Sequence, residues 1–381
     1  MSKTVVVTDG RYRSALSAVR MFAAAGYKIL VTQTASDACS LPASFRSVHT
    51  AGTHLFPCSC KDDIYASLLA QYLKTLDHPI LFCVGADSLR TVSENLAQFR
   101  ELADLLISPP SVLARLNDKQ TVQEAAQALG IPVPRPVSAA DAPNNFPLVV
   151  KPHCGEKFGL KAKERYRIVR SSAELYAALE LYRPIDPSPI IQEKITGDGI
   201  GVNLLLGQHS ELLAAYCHRR LRQYPVSGGP STCCEAFADE KLIADAHRLL
   251  ASFGFCGIAM VEYKGDRLLE VNPRVWGSFP LAAVCGSDIL ARYAEAAAGQ
   301  AAAYTPGAFR QGAKMRFLYN DLAATVSYLL HGELRQFLNG VRDFFTVPEA
   351  LCDSKDRKGS RAYLKASLNE HRKEKRHVAD R

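Results

Sequence analysis

The sequence predicts an α/β protein in which an open, doubly wound domain precedes a region of mixed strands and helices and a C-terminal helical extension. Two observations support this prediction. A strand–helix–strand pattern occupies residues 5–32, and antiparallel hairpin patterns recur from residue 202 to residue 271. Strand–helix–strand units build parallel sheets, whereas strands joined by tight turns build antiparallel ones. A chain of 381 residues is long enough for two or three domains.

The first 110 residues predict the doubly wound domain. Strands are expected at residues 5–8, 27–32, 80–84 and 105–108, and helices at residues 11–25, 64–76 and 89–103. The first turn contains Gly10 as its one glycine, where a dinucleotide site requires the pattern GxGxxG. We therefore expect a Rossmann-like domain without a nicotinamide cofactor.

Pro109 and Pro110 interrupt the chain and mark a boundary. After them we expect helices at residues 111–129, 172–182, 239–253, 281–298 and 322–339, and strands at residues 147–152, 166–170 and 190–193. Two hairpins are expected, at residues 202–217 and 257–271. The N-terminal domain is therefore predicted at residues 1–110.

Composition excludes several classes of protein. Apolar residues make up 48% of the chain and charged residues 22%, which is typical of a globular protein and not of a disordered one. No uncharged apolar run approaches the roughly 20 residues that span a bilayer. The 11 cysteines lack zinc-site spacing. We read them as reduced thiols and expect a cytoplasmic protein.

The net charge of +8 is concentrated at the C-terminus. Residues 353–381 contain ten Lys and Arg against five Asp and Glu, a net charge of +5, so the rest of the chain carries +3. That body is too weakly basic for a nucleic-acid-binding protein. A solvated helix end is favoured for the tail over contact with a membrane or an acidic partner.

A carboxylate pair dominates the second hairpin. If Gly265, Asp266 and Arg267 form a three-residue turn, Lys264 pairs with Leu268. Glu262 then faces Glu270, and Asn272 lies on the same face. Opposed carboxylates repel unless a cation lies between them, and Mg²⁺ prefers such oxygen ligands. A surface hairpin with alternating charges is the alternative. Arg274, two residues further on, is placed to neutralise an anionic reacting group.

Lys151 ends a buried apolar strand and needs an anionic partner or a route to water. The segment after it contains Gly155 and Gly159, and such a loop can place backbone N–H groups over phosphate oxygens. The GxxxxGK[ST] pattern of a P-loop is absent. Judged alone, Lys151 fits a strand-edge lysine and the loop fits a simple turn.

Two further segments carry polar groups suited to ligands. Residues Gln192, Glu193, Lys194 and Ile195 end an apolar strand and could bracket a flat heterocycle. A basic stretch with Arg219, Arg220 and Arg222 leads into Ser227, Gly228 and Gly229, which suits an anionic substrate. A solvated loop tip is the alternative for this second segment.

Together and in this order, these elements resemble the ATP-grasp superfamily, in particular its single-chain members similar to carbamoyl-phosphate synthase. The matching segments are Asn117-Asp118-Lys119, Val149-Val150-Lys151-Pro152, the glycine loop, Gln192-Glu193-Lys194, Glu262, and Glu270-Val271-Asn272-Pro273-Arg274. The resemblance covers about residues 1 to 300 and implies an ATP-grasp fold after the Rossmann-like domain. It implies two α+β subdomains, at residues 111–195 and 196–308, followed by a helical extension at residues 309–381.

The resemblance also implies roles for these residues. Lys119 and Lys151 correspond to the lysines that contact ATP phosphates, and residues 154–159 to the flap above them. Glu193, with the backbone of Lys194 and Ile195, corresponds to the adenine pocket. The implied Mg²⁺ ligands, which Mn²⁺ could also use, are Glu262, Glu270 and Asn272. Arg274 corresponds to the residue that holds the acyl phosphate or the substrate carboxylate.

The implied activity is an ATP-dependent ligase that activates a carboxylate as an acyl phosphate, releases ADP, and joins the carboxylate to an amine. Its partners would be small-molecule carboxylates and amines. The sequence leaves open whether the protein forms a homodimer. A carboxylate–thiol ligase and an acyl-phosphate-forming kinase share the first half of this reaction. A non-catalytic nucleotide-binding protein is the alternative from another class.

Overall fold

The structure is a computed structural model that describes residues 3–35, 41–153, 160, 164–226, 228–300 and 303–379. Within these residues the chain forms three β-sheets with helices packed on them, which confirms the α/β prediction. The predicted phosphate flap at residues 154–159, with Gly155 and Gly159, lies outside the described residues, as does Ser227.

The first part of the chain is a parallel, Rossmann-like sheet. Its elements are β1 (Thr4–Val7), α1 (Arg13–Ala24), β2 (Lys28–Thr34), β3 (Thr50–Phe56), α2 (Ile64–Lys74), β4 (Ile80–Phe82), α3 (Ala86–Glu94) and α4 (Leu96–Arg100). The strand order is β3-β2-β1-β4. Val5, Val6 and Val7 are wholly buried, because helices cover both faces of this sheet.

The strand predicted at residues 105–108 does not form. Asp104 makes an isolated bridge to Ile80, and the sheet ends there. Ser108 instead bonds the backbone of Cys256, its Oγ lying 2.8 Å from both the carbonyl oxygen and the amide nitrogen. The chain is thereby tied to the sheet of the following region.

The helix predicted at residues 111–129 is two helices, α5 (Pro110–Asn117) and α6 (Lys119–Ala128). The break lies at Asp118, whose carboxylate accepts from Thr121 N at 2.7 Å and so caps the second helix. The elements that follow are β5 (Leu148–Lys151), β6 (Arg167–Val169), α7 (Ser172–Tyr182) and β7 (Ile190–Glu193). They form a small antiparallel sheet of order β6-β5-β7 with α7 packed on it.

A six-stranded antiparallel sheet forms the centre of the molecule. Its elements and those that follow are β8 (Gly199–Leu206), β9 (Leu212–Gln223), β10 (Ser231–Phe237), α8 (Glu240–Ser252), β11 (Gly257–Lys264), β12 (Arg267–Asn272), α9 (Pro280–Cys285), α10 (Ile289–Ala297) and β13 (Lys314–Arg316). The order is β12-β11-β8-β9-β10-β13. Val202 and Val261 pack towards α5, α6 and α8, whereas Tyr216 and Met260 pack towards α1, α9 and α10.

The C-terminal region is helical, as predicted, after β13 has joined the edge of the central sheet. Its helices are α11 (Leu318–Leu330), α12 (Leu334–Thr346) and α13 (Arg357–Ala379). Arg20 of α1 bonds Asp356 at 2.9 Å, which fastens this region to the N-terminal domain. None of the helices in the described ranges could cross a membrane. The cysteines that the structure describes are free thiols.

Candidate active site

Two carboxylates face each other on the hairpin of β11 and β12. Glu262 pairs directly with Glu270, as predicted, and Met260 pairs with Asn272. The predicted turn is wrong, because Lys264 pairs with Arg267 across a two-residue turn. Leu269 is an unpaired bulge residue between Leu268 and Glu270. Because of this extra residue, Glu262 still pairs with Glu270. Paired residues share a face, so Glu262, Glu270 and Asn272 lie on the same face of the central sheet as Met260.

Each carboxylate has a cationic partner. Lys119 Nζ lies 3.0 Å from Glu270 Oε2, and Arg220 Nη2 lies 2.9 Å from Glu262 Oε1. Burial acts to raise the pKa of Glu270, but the charges of Lys119 and Lys151 outweigh it and hold that pKa below its ordinary value. Glu270 is therefore ionised at neutral pH and able to act as a ligand.

Lys151 ends β5 and is buried, with 7% of its surface exposed. Burial lowers the pKa of Lys151 to about 8, against the opposing charge of Glu270. Lys119 begins α6, and its backbone N–H donates to His153 O at 3.3 Å. The structure thus brings two lysines from different elements to one carboxylate.

Arg274 adjoins Asn272 in the same loop. Its backbone N–H donates to Asn272 O at 2.8 Å, and its Nη2 donates to Asn272 Oδ1 at 3.3 Å. Its Nη1 donates to Val275 O at 3.0 Å. The guanidinium therefore lies beside the predicted metal ligands, where the sequence placed it.

The three arginines of β9 point in different directions. Arg220 faces Glu262, but Arg219 lies on the other face and pairs with Asp198 at 3.2 Å. Arg222 is 2% exposed and bonds two buried carboxylates of the C-terminal helices. The cause is a bulge at Leu221, which turns Arg222 away from the face of Arg220. The structure does not bring Arg222 to the site.

Of the two glycines after β9, Gly228 lies against Tyr166, next to the small sheet, and Gly229 lies against its own loop. A Cβ on Gly228 would fall 1.4 Å from the hydroxyl oxygen of Tyr166, and Gly228 has a φ of +146°. A Cβ on Gly229 would fall 2.2 Å from Tyr224 O. This loop therefore needs glycine to pass beside Tyr166, at the join between the two subdomains.

The predicted heterocycle segment ends β7. Gln192 is buried and accepts from Gln123 Nε2 at 3.4 Å. The Glu193 carboxylate accepts from Arg135 N at 2.8 Å, which anchors the connector that leads into β5. Lys194 is exposed and Ile195 half-buried, at the strand end where the sequence placed them.

A buried polar cluster next to the carboxylates was not predicted. His218 lies within hydrogen-bond distance of Asn203 Nδ2, at 3.0 Å, and of Ser278 Oγ, at 3.1 Å. Burial, with the charge of Arg220, lowers the pKa of His218 to about 3, so the ring is neutral. A Cβ on Gly201 would lie 2.2 Å from His218 Cε1. Gly201 inside a strand was the one signal of this close approach.

Arg13 also lies at the site and was not predicted from the sequence. It begins α1, yet its Nε donates to Gly277 O at 2.9 Å and its guanidinium lies 3.6 Å from the ring centroid of Phe317. Through Arg13 the N-terminal domain contacts the edge of the site at Gly277, next to Ser278. No local pattern encodes such a contact, because the partners are more than 260 residues apart.

The site as a whole combines oxygen ligands with cations. Across the described ranges, no three His, Cys, Asp or Glu side chains converge. The amide oxygen of Asn272 would be a third protein ligand for a cation held by Glu262 and Glu270. Lys119, Lys151, Arg220 and Arg274 surround this row. Such an arrangement suits a polyanion bound together with a divalent cation.

Comparisons with known proteins agree with this geometry. A family model, described as the ATP-grasp domain, matches residues 116–278. The chain therefore contains an ATP-grasp domain. No curated protein matches the sequence.

Solved structures show the same fold at low identity. The biotin carboxylase domain dimer of 2-oxoglutarate carboxylase from Hydrogenobacter thermophilus, in complex with MgADP, ADP and bicarbonate, is 12% identical, with a TM-score of 0.63 over 82% of this chain and 73% of that one. Biotin carboxylase from Campylobacter jejuni, in a β,γ-ATP complex, is 15% identical, with a TM-score of 0.61 over 82% and 74%. L-amino acid ligase from Bacillus licheniformis is 15% identical, with a TM-score of 0.55 over 78% and 74%.

Proposed function

We propose that this protein is an ATP-dependent ligase that activates a carboxylate as an acyl phosphate and joins it to an amine. The observation that carries the proposal is the opposed pair Glu262 and Glu270, enclosed by cations. Two half-buried acidic groups paired directly across a hairpin are costly if their role is purely structural. Such a pair would hold Mg²⁺, or Mn²⁺ in its place, in a site for a nucleoside triphosphate.

The donor set fits Mg²⁺ and ATP. Glu262, Glu270 and Asn272 present oxygen atoms on one face, and the metal would neutralise phosphate charge there. Lys119 and Lys151 would hold phosphate oxygens, and the end of β7, residues 192–195, would border the adenine. Nucleotide complexes of similar folds, with MgADP and with β,γ-ATP, support this placement.

The chemistry follows from the charges. A carboxylate oxygen attacks the γ-phosphorus of ATP, and the bond from that phosphorus to the ADP oxygen breaks. The amine then attacks the carbonyl carbon, the bond to phosphate breaks, and the amine proton leaves to solvent. Two anions must approach each other in the first step, and Arg274 and Lys151 lower that repulsion. Protonated Lys151 supports the γ-phosphoryl group as negative charge spreads over its oxygens.

An amine is favoured as the acceptor. One of the similar folds belongs to an L-amino acid ligase, and two belong to biotin carboxylases. The cations beside the row, Arg220 and Arg274, suit a donor with a free carboxylate. Both substrates would be small molecules, since the site lies between subdomains.

The test is to incubate the protein with Mg-ATP and pooled amino acids and small carboxylates, and to separate the nucleotides by chromatography. We expect ADP and phosphate that depend on the pool and disappear in Glu270→Gln. Glu180→Gln, an exposed change on α7, is the matched control and should behave like wild type. AMP with pyrophosphate would mean adenylation and would overturn the acyl-phosphate mechanism. ADP formation with a thiol as the sole acceptor would overturn the amine assignment.

A further inference from the structure

The helical hairpin of α11 and α12 presents an apolar surface to the outside. Every largely exposed residue of α11 is apolar. These residues are Leu322, Val326, Leu329 and Leu330. The exposed apolar residues of α12 are Leu334, Leu338, Val341, Phe344 and Phe345. We call these nine side chains the hairpin patch. Leu330 is 79% exposed and Phe345 82%, which is unusual for such large apolar groups in a soluble monomer.

The inner face of the hairpin buries charged side chains as well as apolar ones. Its inner face carries Asp321 and Asp343, both buried and bonded to Arg222 at 2.8–2.9 Å. These ion pairs fix which side of each helix faces the sheet, because an unpaired buried carboxylate would be strongly destabilising. The apolar residues are therefore held outwards. A helix face of this composition is normally covered.

The two helices of the hairpin are also closely packed against each other. A Cβ on Gly340 would lie 2.3 Å from Thr325 Oγ1, so the two helices are in close contact where they cross. The patch is consequently a preformed surface on two packed helices, and its occupant need not order them.

The spacing of the patch fits helices as its occupant. The exposed residues recur at 322, 326 and 329 on α11 and at 334, 338, 341 and 345 on α12. Steps of four and three are those of a seam in which side chains of one helix insert between those of another. Two antiparallel hairpins that each have such a seam on both helices can pack face to face across a two-fold axis.

The area of the hairpin patch and the charged residues around it also favour a second copy of this chain as the occupant. From their exposed fractions, the nine side chains offer roughly 900 Å², close to the roughly 800 Å² that each partner contributes to a standard interface. The rim mixes Glu333 with Arg335 and Arg342, and Arg342 already pairs with Asp343 at 3.2 Å. An anionic lipid surface would call for a rim of unpaired Lys and Arg.

We propose that two copies of this chain associate through the hairpin patch and form a four-helix bundle of α11 and α12 from each copy. The interface is isologous and lies on the outer side of the C-terminal region. It does not depend on the proposed function, because none of its residues belongs to the candidate active site.

The test is analytical ultracentrifugation of the full chain over a range of concentrations. We expect a dimer at roughly 50 µM, far above the dissociation constant of a typical interface of this size. Val326→Glu and Leu338→Glu should each weaken the dimer by roughly 100-fold or more, because each buries a carboxylate in the seam. Leu181→Glu, 52% exposed on α7, is the matched control and should leave the dimer unchanged. Far-UV circular dichroism checks that each variant is folded.

A wild-type monomer at this concentration would overturn the proposal. So would a dimer that survives both glutamate substitutions, since it would use another surface. Flotation of the wild type with phosphatidylglycerol vesicles, with no dimer in solution, would assign the patch to a membrane instead and would equally overturn it.

Discussion

Lys119 Nζ lies 3.0 Å from Glu270 Oε2, so the first residue of α6 reaches the carboxylate of a strand that lies 151 positions further along the chain. The pair joins the helix that begins the ATP-grasp domain to its central sheet. It also keeps Glu270 ionised in the absence of a metal. A carboxylate that is already charged and oriented can exchange a lysine for a divalent cation at little cost in reorganisation.

The first prediction concerns Glu270. Glu270→Gln keeps the shape of the side chain and removes its charge, so we expect the variant to fold and to lose turnover. The loss should be roughly 100-fold or more, since changing a group that merely supports a metal ligand commonly costs 10–100-fold. ADP release measures turnover, and thermal melting checks the fold. Near-normal ADP release would show that Glu270 is not a ligand.

A second prediction concerns pH and Lys151. The pKa of Lys151 is about 8 in the folded protein, below its ordinary value of 10.5, so the folded state gives up this proton before the unfolded state does. Stability contributed by this group should therefore rise as pH increases from about 8 to 10.5. Phosphate binding needs the protonated form, so ATP affinity should fall over the same range, by roughly tenfold per pH unit at most.

Calorimetric titration with ATP at pH 7, 8 and 9 measures this effect. Lys151→Gln should bind ATP more weakly and lose this component of the pH dependence. Lys241→Gln, on the exposed side of α8, should retain the wild-type profile. An unchanged profile in Lys151→Gln would show that another group titrates.

Part of this site could be predicted from the sequence. The pairing of Glu262 with Glu270 followed from the period of two in strands and a short turn, although the turn was one residue too long. The bulge at Leu269 compensated for that error, because a two-residue turn with a bulge and a three-residue turn without one put the same residues opposite.

The rest could not be predicted because it depends on bulges and on distant contacts. Alternation along β9 places Arg220 and Arg222 on one face, and the bulge at Leu221 separates them. The contact of Arg13 with Gly277 depends on how two domains pack. Strands β5 to β9, β11 and β12 could be predicted from period and spacing, whereas these side-chain partners could not.

The third prediction tests Arg274. Arg274→Lys keeps the positive charge but loses the two separate donors that reach Asn272 Oδ1 and Val275 O. We expect kcat to fall by roughly 10- to 100-fold while ATP affinity changes little, because the guanidinium positions Asn272 and the reacting carboxylate. Steady-state kinetics with the substrate found from the pool separates the two quantities. Arg219→Lys, on the opposite face, should match wild type, and an unaltered kcat in Arg274→Lys would refute this role.

The fourth prediction tests Arg222 as a structural residue. Arg222→Met removes the buried cation that Asp321 and Asp343 share, which should lower the free energy of unfolding by about 3–5 kcal/mol. Urea denaturation measures this loss. Combining Arg222→Met with Asp321→Asn and Asp343→Asn removes the uncompensated charges, so most of the stability should return. A residue that only contacted substrate would not behave this way, because its removal would change KM and leave the urea midpoint in place. If Arg222→Met is as stable as wild type, the ion pairs do not hold α11 and α12 against the sheet, and the outward orientation of their apolar face needs another cause.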